Sequence, residues 1–187
     1  LKPLLSLSSL IDRINEWVGR TVYWLILVMV IVSSGNATFR YIFSNSSNAW
    51  LEVQWYLFAT VFLLCAGYTL LRNEHIRIDV ICGRLPRRTQ IWIDIVGTIV
   101  FLFPMAMLIL TLSWPMFMKS FTMMEMSSDA GGLIRWPVKL MIPLGFSLLM
   151  LQGASELIKK IAILTGDMAD PGDHGHHHHT SADGEAV

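Results

Sequence analysis

The chain has 187 residues, of which 53% are hydrophobic and 15% charged, and its apolar residues gather in blocks of membrane length rather than core length. Lys plus Arg equals Asp plus Glu, 14 against 14, and the basic residues stand at the ends of apolar blocks, which excludes a surface built to hold nucleic acid. The ordered part shows no nucleophile–base pairing, glycine-rich phosphate loop or metal-ligand spacing, so neither an enzyme nor a cofactor is expected.

In residues 1–20, Leu4, Leu7, Leu10, Ile11, Ile14 and Val18 recur at helical spacing with Ser8, Ser9, Asp12, Arg13 and Glu16 between them. The pattern predicts an amphipathic helix at the membrane interface rather than a signal peptide. Four apolar blocks follow, at about residues 21–43, 50–71, 90–114 and 136–164. As helices rising 1.5 Å per residue, each crosses ~30 Å of hydrocarbon, and none alternates as a barrel strand would. The expected fold is an all-α membrane protein of four transmembrane helices within residues 21–164, with an N-terminal amphipathic interfacial helix and a disordered C-terminal tail over 165–187. The tail is polar and Gly-rich and cannot bury enough apolar area to order itself.

Span one carries Ser33, Asn36 and Arg40 at spacings of three and four, a polar stripe on one face that is costly against lipid and must face protein. That protein is either this bundle or a second subunit. Glu52 opens span two at similar depth, after a short connection. One reading pairs it with Arg40; the other lets Arg40 snorkel to headgroups while Glu52 meets water or another subunit. These four residues are the candidate structural or interface positions.

In span three, Asp94 stands near Arg87 and Arg88, and Pro104 should kink the helix; Pro115 is read as following the span. The loop from Pro115 to Arg135, with Lys119, Glu125, Ser127, Ser128, Asp129, Gly131 and Gly132, is expected at the far membrane surface and partly helical. Pro137 opens span four, Pro143 lies inside it, and Glu156 precedes Lys160 by one turn, as an i,i+4 pair. The tryptophans mark span ends, and Cys65 and Cys82 read as free thiols.

Ten basic residues, among them Arg13, Arg20, Arg72, Arg77, Arg84 and Lys160, fall on the side of both termini and the loop between spans two and three, and four on the other. Both termini are therefore expected in the cytoplasm. The tail histidines, His174 and His176 to His179, read as a solvated neutral tract or a purification remnant in preference to a metal site. A haem-carrying subunit would need axial histidines inside spans, yet the one histidine outside the tail is His75, in a loop. A self-sufficient exporter would want a midplane carboxylate, and none is present.

NATFRYIF (Asn36 to Phe43), the W-L-E opening at Trp50 to Glu52, RNEHIRIDV (Arg72 to Val80) with Leu85-Pro86, and WPVKLMIPLGFSLLMLQG (Trp136 to Gly153) together touch all four spans in order. In this arrangement the chain resembles the small DctQ-type subunit of tripartite ATP-independent periplasmic (TRAP) transporters. The resemblance implies a bacterial inner-membrane location and two partners, a large DctM-type membrane subunit and a periplasmic binding protein that captures an organic acid. It also implies that the large subunit carries the substrate and sodium sites and moves like an elevator against a fixed scaffold. This chain is expected to brace it, touching membrane lipids and binding no substrate itself. The rival is a structural or assembly subunit of another complex, such as a respiratory one.

Overall fold

The computed structural model describes residues 2–44, 47–72 and 85–168. The chain forms α1 (Lys2–Phe43), α2 (Asn48–Leu71), α3 (Arg87–Gly97), a π-helical turn (Thr98–Leu102), α4 (Phe103–Thr122) and α5 (Trp136–Thr165). Four helical stretches are long and apolar enough to cross a membrane, and α3, the π-turn and α4 together make the third. Among the described residues there is no strand, only one antiparallel bridge between Met126 and Ile134. The connection 73–84, with His75 and Cys82, and the tail histidines lie outside the described residues; Cys65 is a free thiol.

The interior is built from small and polar groups. Ser8, Asn15, Ser120, Gln152 and Ser155 are at most 1% exposed, whereas Trp17, Tyr23, Phe62 and Phe101 are 69–73% exposed. That inversion suits lipid as solvent, where close backbone approach and interhelical hydrogen bonds, rather than apolar burial, draw helices together. Gly145 shows the approach: a Cβ there would stand 2.6 Å from the Leu63 carbonyl oxygen, so α2 and α5 meet backbone to backbone.

The third span runs to Thr122 rather than ending at 114, and Pro115 lies inside α4. Phe117 and Ser120 are buried beyond it, and Phe121 meets Trp136 of α5 edge-on at 5.3 Å. This packing carries the helix past a residue that local propensity reads as a stop. Pro104 stands in the first turn of α4, directly after the π-turn. Pro104 offers no N–H to the Val100 carbonyl, and the wider ladder before it takes up the mismatch, with the Phe103 N–H reaching the Thr98 carbonyl. Gly166, at φ +81°, ends α5 in the left-handed conformation.

Helix α1 carries the N-terminal segment and the first span without a break, 42 residues or ~63 Å at 1.5 Å per residue. Its first half packs through Ser8, Ile11, Asn15 and Val22, spaced like one helical face, while Leu4, Leu7, Leu10 and Ile14 point outward. From Tyr23 to Phe43 no residue is buried.

Candidate functional site

Two polar assemblies occupy opposite ends of the bundle. At the first, α4 ends at Thr122 and Met124, at φ +48°, turns the chain into a short hairpin. The Ser127 N–H reaches the Leu133 carbonyl at 2.9 Å and the Arg135 N–H the Glu125 carbonyl at 2.8 Å, with the tip closed by Gly132 N–H on the Asp129 carbonyl at 3.0 Å. The hairpin docks on one face of α2. Asn48 donates to the Ala130 carbonyl at 3.1 Å, and Tyr56 donates to the Ile134 carbonyl at 3.0 Å. Between them Glu52 accepts the Ser127 hydroxyl with one carboxylate oxygen and the Leu133 N–H with the other, at 2.5 Å. A Cβ on Gly132 would collide with Ser127 and stand 2.8 Å from the Glu52 carboxylate, so only glycine admits this contact.

Lys139, in the first turns of α5, pairs with Glu125 and holds its carboxyl below the usual carboxylate range. Arg135 directs its guanidinium at Ser127 and Ser128 from 3.4 and 3.5 Å. The hairpin, which continues from α4, thus ties α2 and α5 together, and among the described residues it makes no hydrogen bond to α1.

Ser33, Asn36 and Arg40 stay together on α1, and Glu52 lies apart from them. Ser33 and Arg40 are exposed on α1 and Asn36 is half-buried. Arg40 has no ion pair among the described residues, and Glu52 turns to the hairpin instead. Ser127 was visible only as one residue of the loop, and Asn48 and Tyr56 did not stand out in the sequence, although Asn48, Glu52 and Tyr56 recur every four residues as a polar line on an otherwise apolar helix.

At the other end, ion pairs join the helices. Asp12 of α1 meets Lys159 of α5 at 2.6 Å and accepts from Gln152 at 2.9 Å and Ser155 at 2.7 Å. Glu16 of α1 meets Arg72, at the end of α2, at 2.8 Å and Arg20 at 2.7 Å. Asp94 of α3 meets Lys160 of α5 at 2.8 Å. The sequence had assigned Lys160 to Glu156, but Glu156 bonds Lys159 at 2.9 Å, because Lys160 faces α3. Ser8 and Ser155 share a 2.7 Å hydrogen bond beneath the belt. A Cβ on Gly67 would fall on the Asn15 amide oxygen, so α1 lays a polar side chain against the backbone of α2 there.

Four apolar helices around a small, polar interior define a multi-pass membrane protein. The sequence profile described as "Tripartite ATP-independent periplasmic transporters, DctQ component" matches residues 28–162. The chain belongs to this family of transporter components. No curated protein matches it significantly.

Proposed function

We propose that this chain is the small scaffold subunit that braces a large DctM-type subunit during sodium-coupled uptake of an organic acid, which a periplasmic binding protein delivers. The observation that carries this reading is the outer half of α1. It has no buried residue from Tyr23 to Phe43, yet it bears Ser33, Asn36 and Arg40, groups that lipid solvates poorly. The large subunit covers that face in the assembly. The ion-pair belt and the docked hairpin keep the remainder rigid, as a brace requires.

In this reading the chain binds no solute and performs no chemistry. It sits in the bacterial inner membrane with both termini and the tail, 165–187, in the cytoplasm, and with the hairpin in the periplasm. Residues 1–20 continue the first span past the cytoplasmic boundary in the same unbroken helix, with their Leu4, Leu7, Leu10 and Ile14 stripe turned outward. Reconstitution into liposomes tests the assignment: uptake of an organic acid should require the large subunit as well as this chain. Asn36→Trp with Arg40→Glu should lower co-purification of the large subunit about tenfold, equivalent to ~1.4 kcal/mol. Sodium-dependent uptake by this chain alone would refute the scaffold role, and unchanged co-purification would refute the face.

A further inference from the structure

Two cavities lie end to end along the seam between α2 and α5. One, of about 450 Å³ beside the hairpin, is bordered by Glu52, Asp129 and Arg135. The other, of about 420 Å³, is walled by Phe58, Phe62 and Ile142. Ala59, Val138 and Lys139 border both, so the two form one groove with a charged head and an apolar body.

The groove has a definite length. It follows α2 from Asn48 to Leu63, ~22 Å at 1.5 Å per residue, which is about one leaflet of a 40–45 Å bilayer. It stops there because Gly145 brings α5 against the Leu63 carbonyl. A partner helix crossing the membrane would continue past that point, whereas a lipid ends within its leaflet.

The charges at the head are of both signs. Arg135 holds its two hydroxyl partners only at 3.4 and 3.5 Å, near the limit of a hydrogen bond, so its planar donor fork keeps capacity for a phosphate. Glu52 and Asp129 face the same space and complement a cationic amine. We propose that the groove binds one phospholipid with an ethanolamine headgroup, its phosphate on Arg135, its ammonium toward Glu52 and Asp129, and an acyl chain against Phe58 and Phe62. Lys139, at the junction, lays its stem along the chain and its ammonium in the head region. The bound lipid fills the seam between two helices that the hairpin already clamps at one end.

The test uses the assembled membrane complex and phosphatidylethanolamine carrying a diazirine in its acyl chain. Photolabelling should concentrate on residues 58–63 and 138–142. Ala59→Trp, which fills the shared wall, should cut that labelling about tenfold, corresponding to ~1.4 kcal/mol of binding. Arg135→Gln should weaken labelling by phosphatidylethanolamine but not by a matching diacylglycerol, which has no phosphate. Labelling spread evenly over outward residues such as Val28 and Leu108, or unchanged by Ala59→Trp, would overturn the proposal. So would efficient cross-linking of Ala59→Cys to the large subunit, which would put protein in the groove.

Discussion

Glu52 uses both carboxylate oxygens on one hairpin, accepting a hydrogen bond from a hydroxyl with one and from a backbone N–H with the other. An amide in its place has a single acceptor oxygen and turns donors toward the second partner. Glu52→Gln should therefore lower the unfolding temperature, because one of the two hairpin donors loses its acceptor. Arg40→Ala should stay within about 0.5 kcal/mol in the isolated chain, since its exposed side chain has no ion-pair partner among the described residues. The two changes should add within about 0.5 kcal/mol, as independent sites do. Thermal unfolding in detergent measures all three variants, and non-additivity would restore the Arg40–Glu52 pair. Glu125 supplies a second, pH-dependent hold. Its pKa is depressed from the usual 4.5 by the Lys139 ammonium, so its contribution is complete above pH 4.5 and is lost as pH falls through the lower, folded-state value. The protection factors of the Ser127 and Arg135 amides, measured against their intrinsic exchange at the same pH, should fall below pH 4.5, and Lys139→Gln should reduce that pH dependence.

At the scale of helices, the spans were legible because membrane thickness imposes a length on apolar runs. Their partners were not. Arg40 and Glu52 look like neighbours because a short connection separates them in sequence, but the hairpin that captures Glu52 arrives some 75 residues later. Lys160 was assigned by i,i+4 spacing to Glu156, and tertiary placement sent it to Asp94. The polar residues of the first helix show the same difficulty. Periodicity revealed two faces in α1 but not that Ser8, Asp12 and Asn15 would face helices while the leucines faced outward. The Asp12–Lys159 pair is half-buried, and stranding one charge there is worse than removing both. Lys159→Ala, which leaves Asp12 without a cation, should lower the melting temperature of the purified chain more than the double variant does, whereas Asp12→Ala leaves Lys159 paired with Glu156 and should cost less. Equal or greater loss in the double variant would mean that the pair adds stability on its own account.

Across the whole molecule, attachment is uneven. Helix α1 is fastened by Ser8, Asp12, Asn15 and Glu16 at one end, and among the described residues the hairpin's hydrogen bonds and ion pair at the other end go to α2 and to the start of α5. Spin labels at Phe39 and Leu108, both exposed, should give a broad distance distribution in the isolated chain and a narrow one once the large subunit is bound. A narrow distribution in the isolated chain would mean that α1 needs no partner to fix its angle.

The unbroken length of α1 has a mechanical consequence. From Tyr23 to Phe43 the helix extends ~30 Å beyond its last buried residue, Val22, so a tilt of ~5° about that point moves the tip by ~2.5 Å. A rod clamped at one end and loaded at the other turns a force on its tip into a torque at the clamp, and here the clamp is Asp12, Glu16, Lys159 and Arg72. Any sideways push by a moving neighbour in the membrane is thus resisted not where it is applied but at the opposite surface, by charges that hold the rod upright.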